Sequence, residues 1–246
     1  MVCYPHQVII HGEAIGNAQD ADNIPPMIDG AKKNLQKVGK SKNYFEGKVL
    51  TADSNYHSTN NIQKFEAEGI DAYIPDNKFR IRDARFSSQD RFKPKSKKNS
   101  YFEFQYDDKN DHYICPNGKK LKCETKRSKS RGRFKSVYVS NEADCRNCPL
   151  RSKCLRYENA MRRHLSYYID ETNRNISKEM VKKVETERGR RIYPQRVAIV
   201  EPVFANIRTQ KKLDRFTLRG KIKVNIQWVL YCMVHNIEKI ANYGFA

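Results

Sequence analysis

Apolar and polar positions in the first third of the chain alternate in a way that predicts strands followed by helices. Residues 6–15 are dense in β-branched side chains and predict a strand that closes at Gly16 and Asn17. Asn23 and the proline pair at 25–26 then predict a helix start. The buried face of that helix is expected to carry Ile24, Met27, Ile28, Ala31, Leu35 and Val38. This order of elements predicts a βα unit.

The same order repeats once more. An apolar strand that begins at Lys48 ends on Asp53. Ser58 is placed to cap a second helix and Gly69 to end it, and a further strand is predicted over 71–75. Asp53 is therefore expected at the C-terminal tip of a strand in an α/β array, where such sheets place catalytic groups. The simpler interpretation is a turn or cap carboxylate.

A late segment over 193–208 predicts a helix that carries one carboxylate. Spacings of three and four predict an apolar stripe of Val197, Val200, Phe204 and Ile207. The adjacent face is expected to hold Ala198, Glu201, Ala205 and Arg208. Glu201 and Arg208 should then point the same way. Pro202 removes one helix hydrogen bond and predicts a kink or a helix start, and the pattern alone also fits a helix with one solvated glutamate.

Further helices are predicted around this segment. Residues 160–192 predict a basic helix with a buried stripe of Ile176, Met180, Val181 and Val184. Residues 223–240 predict a helix that is apolar on most of its circumference and is therefore a packing element. One side of it carries Val224, Trp228, Cys232, His235 and Lys239, and another carries Ile226, Val229, Leu230, Met233, Ile237 and Ile240. His235 is expected to make a polar contact in this packing, and Cys3 and Cys232 are expected in the core.

The α/β pattern dissolves between residues 77 and 135. Two charge runs, 93–100 and 126–133, predict exposed loops or arms that contact phosphates. Aromatic residues alternate between the runs and predict a strand with an aromatic face: Tyr101, Phe102, Phe104 and Tyr106. These rings are expected to pack a small subdomain, with stacking on bases as the alternative.

Composition narrows the class of partner. The 246 residues carry a formal charge of +20, and only 38% of them are hydrophobic. The isoelectric point is near 9.7 and the mean hydropathy is −0.86. A domain this basic is expected to bind a polyanion, with nucleic acid as the first choice. The absence of a long apolar run argues against a membrane protein and predicts a cytoplasmic, nucleoid-associated one.

Seven cysteines in a cytosolic chain favour metal ligation or buried thiols over disulfides. Cys145 and Cys148 have the spacing that lets two thiolates hold one ion, and Cys115 and Cys154 would complete four sulfurs. Structural zinc is the first interpretation, with reduced thiols in a small core and an iron–sulfur cluster as alternatives. The spare donors are Cys123, His112 and His164.

Two blocks of the chain, 51–58 and 200–208, resemble the second and third catalytic blocks of bacterial insertion-sequence transposases of the DDE type. The cysteine-bearing insertion between the blocks is similar to the one in a branch of that family. The resemblance covers nearly the whole chain. It implies an α/β, RNase H-like fold, a mixed sheet with helices, in which Asp53 and Glu201 are catalytic and bind Mg²⁺ or Mn²⁺. The implied DNA-binding residues are Tyr193, Arg196, Arg208, Lys211 and Lys212.

The resemblance also implies the reaction and the partners. Water attacks a phosphodiester to release a 3′-hydroxyl, which then attacks target DNA. Phosphodiester chemistry of this kind needs divalent cations held by carboxylates. The implied partners are the DNA of the element ends and of the target, bound by a homodimer, with no membrane.

The chain departs from the family pattern in two ways. The basic residue after Glu201 is Arg208 where the family has a lysine, and Arg196 lies five positions before Glu201. The family's first catalytic Asp lies upstream of the opening hairpin of this chain. We therefore expect an N-terminally truncated transposase, with its sheet incomplete at the N-terminal edge and its own activity doubtful or absent.

The expected organisation has three parts. Residues 1–76 form the first part of the catalytic domain, 77–170 the basic, cysteine-bearing insertion, and 171–246 the C-terminal helices that carry Glu201. A non-catalytic, zinc-stabilised nucleic-acid-binding protein is the main alternative function. An RNase H-like nuclease of another pathway is a weaker one, since the cysteine insertion has no evident role there.

Overall fold

The structure is a computed structural model, and it describes residues 1–16, 20–86, 88–89, 103–130, 133–170, 172 and 174–244. The predicted turn residue Asn17, the charge run at 93–100, and Tyr101 and Phe102 lie outside the described residues, as do Arg131 and Gly132. The chain forms two compact units. The first combines Met1–Asn77 with Met180–Ala246, and the second is Lys78–Glu179.

The first unit opens with a short antiparallel hairpin of β1 (Val2–Cys3) and β2 (Val8–Ile9). The predicted strand over 6–15 is therefore wrong in length. A side chain takes the place of a neighbouring strand, because the Asn236 amide accepts from the Ile9 N–H at 2.8 Å and donates to the Ile9 carbonyl at 2.8 Å. Both backbone groups of Ile9 are thus satisfied.

The predicted helices after this hairpin are confirmed. α1 spans Ile24–Lys37 with prolines in its first turn, and its buried residues are Ile24, Ile28 and Ala31. α2 spans Thr59–Ala67. The Ser58 hydroxyl accepts from the Asn61 N–H at 3.2 Å and caps α2, as predicted. Gly69 follows with φ of +64°, a backbone conformation that glycine adopts without strain.

Between α1 and α2, Lys32 and Lys64 both form ion pairs with Glu68. These partners lower the pKa of Glu68, with the hydrogen bond from Lys32 as the largest cause and the one from Lys64 next. The carboxylate is mostly shielded, with 18% of its side chain exposed. Its charge therefore links two helices of the first unit.

The two predicted strands around α2 pair in parallel. β3 (Val49–Thr51) lies beside β4 (Asp71–Tyr73), with Thr51 opposite Tyr73. The α2 crossover makes this a βαβ unit. Its core is closed by side chains that are at most 1% exposed: Ile62, Phe65, Ala72 and Ile74.

The C-terminal part of the chain is helical. Its elements are α6 (Ile176–Glu185), α7 (Glu187–Ile192), α8 (Gln195–Ala205), a π turn (Asn206–Gln210) and α9 (Lys221–Tyr243). The helix predicted over 160–192 is wrong at 164–169, which form a strand. The predicted stripe is confirmed in α6 at Ile176, Met180 and Val184, which are all buried. Lys183 and Arg188 reach the Asp71 carboxylate at 2.6 and 2.9 Å and tie these helices to β4.

The buried face of α8 is not the predicted one. Of the predicted stripe, Val197 and Phe204 are 49% and 46% exposed, and only Ile207, in the π turn, is fully buried. Val203, outside the stripe, is buried with it. The buried pair joins a core cluster with Ile9, Leu213 and Cys232. Apolar residues surround much of α8, so its tertiary partners decide which of them are buried.

Pro202 lies inside α8, and the helix does not begin there. A proline has no N–H, so the carbonyl four residues earlier loses its helix partner. That carbonyl, of Ala198, accepts instead from the Gln7 side-chain amide at 3.0 Å. The opening hairpin thus satisfies the group that Pro202 leaves free.

Helix α9 packs with one face only. Cys232 and His235 are buried on it, and the His235 Nε2 lies 3.0 Å from the Gln7 carbonyl, which confirms the predicted polar contact. Within the described residues the second apolar face is open, and its exposed members are Ile226, Val229, Leu230, Met233, Ile237 and Ile240. None of the described helices has the length and apolar character that crossing a membrane requires.

The second unit is built on an antiparallel sheet in the order β5-β6-β7-β8-β9. The strands are Gln105–Asp107, His112–Ile114, Lys120–Ser130, Arg133–Ser140 and His164–Ile169. Three short helices accompany the sheet: α3 (Phe79–Arg82), α4 (Glu142–Arg146) and α5 (Arg151–Cys154). The protein is thus a mixed α/β structure.

The described residues of the predicted loop at 126–133 belong instead to β7 and β8, which pair with each other. Ser128 pairs with Lys135, and Ser130 pairs with Arg133. The basic side chains find aromatic neighbours, since the Arg127 guanidinium lies 3.8 Å from the centroid of the Phe134 ring. Cation–π contacts and strand pairing let a charged run form strands.

Aromatic side chains form the core of this unit, as expected for Phe104 and Tyr106. The buried cluster is Phe104, Tyr113, Leu121, Tyr138 and Leu165. Asp111 accepts from the Tyr106 hydroxyl at 2.7 Å and from the Tyr138 hydroxyl at 2.6 Å. Burial, followed by the bond to Asp111, raises the pKa of Tyr106 to about 12.

Candidate functional site

Asp53 lies just beyond the carboxyl end of β3, as the sequence predicts. Its Oδ1 accepts from the Ser54 hydroxyl at 3.1 Å and from the Asn55 N–H at 3.3 Å. Asp53 thereby caps the 3₁₀ turn Ser54–Tyr56. One carboxylate oxygen therefore has the role of a cap.

The other oxygen of Asp53 connects β3 to α8. Its Oδ2 lies 3.2 Å from an Nη atom of Arg196. The Arg196 side chain is 13% exposed and that of Asp53 is 42% exposed. Arg196 also lies 5.8 Å from the centroid of the Tyr193 ring, and Tyr193 is buried. Three of the residues named from the sequence are therefore brought together.

Arg196 has spare capacity to donate. Its Nε is buried and has no hydrogen-bond partner among the described residues. A guanidinium carries five N–H donors, and buried donors are normally satisfied. Arg196 thus has donor capacity beyond its contact with Asp53.

Glu201 lies on the exposed side of α8. It follows Arg196 by five residues, which places the two roughly 140° apart around the helix axis. Asp53 therefore contacts α8 through Arg196 and does not contact Glu201. Among the described residues, no three His, Cys, Asp or Glu side chains form a group that could hold a metal ion.

The other predicted DNA-binding residues follow α8. Arg208 is exposed in the π turn and lines a groove of about 650 Å³. Lys211 forms an ion pair with Glu238 at 2.5 Å, whereas Lys212 is exposed. The groove also contains basic and aromatic residues that sequence reasoning missed: Arg215, Phe216, Lys221 and Trp228.

Asp76 is a further carboxylate that sequence reasoning missed. It is buried and follows β4 at the sheet edge where Asp53 follows β3. His57, in the loop after Asp53, lies with its Nδ1 2.9 Å from the Ile74 carbonyl and fastens this loop to the end of β4. The signal for Asp76 was present, since it directly follows the strand predicted over 71–75.

In the second unit, one small cavity brings four cysteines together. Cys115, Cys145, Cys148 and Cys154 all line a cavity of about 30 Å³. Cys123, a spare donor in the sequence, does not line it and lies on β7. These are the four cysteines named from the sequence, and no three of the described ones are grouped as a metal site requires.

Comparison with known families identifies the class of protein. Residues 114–241 match the family model described as "Transposase DDE domain". This match covers more than half of the 246 residues, so the chain belongs to that family. No curated protein and no solved structure matches the chain.

The matched span includes Glu201 and the four cysteines of the cavity, and Asp53 precedes it. The family match confirms the prediction of a DDE-type transposase. The family implies DNA as a partner and typically uses divalent metal ions. The match gives no residue roles, so those of Asp53 and Glu201 stay predictions.

Proposed function

We propose that this chain binds DNA and takes part in metal-dependent DNA cleavage and strand transfer, as the catalytic region of a bacterial insertion-sequence transposase with an RNase H-like fold. The family match over 114–241 is the observation that carries the proposal. The formal charge of +20 supports it, because a surface this basic attracts a polyanion. We further propose a nucleoid-associated homodimer acting on two DNA ends.

Asp53 and Glu201 are the proposed ligands of the metal. Carboxylate oxygens suit Mg²⁺ and Mn²⁺, and Asp53 follows a strand end, where such ligands are commonly placed. A divalent cation held there would stabilise the charge that develops on phosphate oxygens. In the reaction, water adds to phosphorus as the bond to the 3′-oxygen breaks, and the released 3′-hydroxyl later repeats the displacement on target DNA.

Arg196 has two roles in this proposal. Without bound DNA it neutralises Asp53 through the 3.2 Å contact. When Asp53 holds a cation instead, the Nη atoms of the guanidinium become available to a phosphate oxygen. Tyr193 lies under Arg196 and limits where the guanidinium can move.

Additional DNA contacts are proposed in both units. In the first unit they are Arg208, Lys211 and Lys212. In the second unit, Lys126 and Lys129 are exposed on the β7–β8 hairpin and suit the phosphate contacts predicted for this run. Such contacts would make binding weaken steeply as salt increases.

Cleavage and binding can be measured separately on one substrate. The probe is a supercoiled plasmid carrying the DNA that flanks the coding sequence of this chain, incubated with Mg²⁺ or Mn²⁺. We expect nicking in the wild type, loss of nicking in Glu201→Gln, and unchanged DNA affinity in that variant. Glu187→Gln is the matched control, because Glu187 is an exposed glutamate on the neighbouring α7.

A non-catalytic nucleic-acid-binding protein is the second candidate function. It is favoured by the state of Asp53, whose two oxygens are engaged by the turn cap and by Arg196. In the same assay this function predicts retained DNA binding with no nicking by the wild type in either metal. Nicking by Glu201→Gln at the wild-type rate would contradict the assignment of Glu201.

A further inference from the structure

We propose that Cys115, Cys145, Cys148 and Cys154 form a structural zinc site that holds the second unit together. This site is separate from the carboxylates and does not depend on whether the chain cleaves DNA. The first argument is topological, because three separate segments deliver the four sulfurs. Cys115 follows β6, Cys145 and Cys148 lie at the end of α4 and just after it, and Cys154 is the last residue of α5.

The turn that carries Cys115 has the geometry of a metal-binding turn. The Cys115 N–H donates to the Lys119 carbonyl at 2.8 Å, and the Gly118 N–H donates to the Cys115 carbonyl at 2.8 Å. Gly118 has φ of +72°, which lets the chain reverse tightly. The Lys119 N–H is then directed at the Cys115 Sγ at 3.3 Å.

Three of the four sulfurs have a polar neighbour. Besides the Lys119 N–H at Cys115, the Ser140 hydroxyl lies 3.0 Å from the Cys145 Sγ. The Asn117 side-chain amide donates to the Cys148 Sγ at 3.6 Å. Donors of this kind favour the thiolate, which is the form that binds a metal. They also fix the ligands in orientation.

Positive charge also surrounds the cluster. Arg163 donates to the Cys154 carbonyl at 2.6 Å, and Arg151 donates to the Cys145 carbonyl at 3.2 Å. Both guanidinium groups line the cavity. Four thiolates around one Zn²⁺ carry a net charge of −2, so two nearby guanidinium groups offset it.

The cavity between these cysteines has room for a single ion. Its volume of about 30 Å³ is enough for at least one water-sized body. Zinc needs sulfurs about 2.3 Å away, and the four cysteines lie around this space. The sulfurs are not yet grouped as a closed metal site, so binding requires their side chains to turn toward the cavity. The Lys119 N–H and the Asn117 amide donate to two of the sulfurs, which favours a thiolate site over plain reduced thiols.

A zinc ion would supply stability where the protein core is small. The cavity walls include Phe104 and Leu121, which belong to the aromatic core of the unit. A metal that cross-links the turn after β6 to α4 and α5 therefore fixes the edge of that core. Because such a site forms only in the folded state, its binding energy becomes folding energy.

The test measures metal content and not cleavage. The full chain, purified without chelator, is analysed by inductively coupled plasma mass spectrometry. We expect one zinc per chain, and substitution of Cys145→Ser or Cys154→Ser should reduce it at least fivefold. Cys123→Ser is the matched control, because Cys123 is a half-buried cysteine of the same unit outside the cavity. Zinc far below one per chain in the wild type, or an equal loss in Cys123→Ser, would overturn the proposal.

A second measurement uses only the wild-type chain, so it stays informative even if a cysteine variant fails to fold. Wild-type chain is refolded with Co²⁺, and its visible and near-ultraviolet absorption is recorded. Tetrahedral thiolate ligation predicts intense d–d bands with sulfur-to-cobalt charge transfer, both removed by added Zn²⁺. A spectrum of hydrated, octahedral Co²⁺ would contradict the site. Neither measurement involves DNA. A chain that binds one zinc but does not nick DNA would therefore support the zinc site and contradict only the proposed cleavage.

Discussion

The contact between Asp53 and Arg196 makes a quantitative prediction about stability. Catalytic carboxylates are commonly replaced to test activity, but here the carboxylate also has structural partners. Replacing Asp53 by alanine removes the cap of the Ser54–Tyr56 turn and the partner of Arg196. Asparagine retains a side-chain oxygen for the cap and removes only the charge. The two variants therefore separate the two contributions.

The magnitude follows from burial. Loss of a cap costs about 1 kcal/mol. Asp53 is 42% exposed, so the direct ion-pair energy is small, roughly 0.5 kcal/mol. Arg196 is only 13% exposed and would be left without its partner, which adds about 1 kcal/mol. We expect a loss in the free energy of unfolding of about 2–3 kcal/mol for Asp53→Ala and about 1–2 kcal/mol for Asp53→Asn.

The assay follows Trp228, which is the only tryptophan and lies in the same unit as Asp53. Its fluorescence during urea unfolding reports on the first unit, and linear extrapolation gives the free energy. In an Arg196→Met background the Asp53→Asn substitution should cost close to nothing. Equal or greater stability of Asp53→Asn in the wild-type background would refute the reasoning.

Three other predictions concern stability and follow from named contacts. Leu121→Ala should lower the free energy of unfolding by about 2–5 kcal/mol, because Leu121 is fully buried in the aromatic core. Urea unfolding followed by circular dichroism measures this, and a loss below about 1 kcal/mol would contradict that packing. The two lysines hold the pKa of Glu68 below its ordinary value, so their stabilisation is present above pH of about 4.3 and is lost as the pH falls through the folded pKa. Glu68→Gln should therefore be less stable than wild type at pH 7, by a difference that shrinks as the pH falls through the folded pKa, and a difference that stays constant with pH would argue against the ion pairs. Gln7→Ala should cost about 1 kcal/mol in the wild type and less in a Pro202→Ala background, where the Ala198 carbonyl regains its helix partner; a double-mutant cycle with no coupling would exclude that contact.

Local signals explain what the sequence could predict. α1 begins directly after Asn23 with prolines in its first turn, and α2 begins after the Ser58 cap and ends just before Gly69. Prolines, caps and glycine act over a few residues, so the local sequence reveals them. Cys145 and Cys148 are another short-range signal, and the structure adds Cys115 and Cys154 to the same cavity.

Other features depend on residues that are distant in the sequence. The buried face of α8 is chosen by Ile9, Leu213 and Cys232, which spacing within 193–208 cannot indicate. Likewise, the run at 126–133 forms strands because Phe134 and the β8 backbone lie opposite it. Local charge alone could not distinguish that hairpin from a loop.

The candidate site also combines a feature that the local sequence predicts with one that depends on distant residues. The position of Asp53 at a strand end followed from local pattern and was predicted. Its pairing with Arg196 joins the first βαβ unit to a helix late in the chain, which only the fold determines. The five-residue spacing from Arg196 to Glu201 is visible in the sequence. Only the structure shows that Arg196 faces Asp53, so that Glu201 lies on a different side of α8.

The central claim is that Glu201 holds a divalent metal during DNA cleavage. A cysteine in its place tests this directly, because a thiolate is a poor ligand for hard Mg²⁺ and a better one for softer cations such as Mn²⁺. On the supercoiled plasmid described above, we predict that Glu201→Cys nicks no DNA with Mg²⁺ and recovers nicking with Mn²⁺, whereas Glu201→Gln stays inactive in both. Equal nicking by Glu201→Cys and wild type in Mg²⁺, or no nicking by the wild type in either metal, would contradict the account.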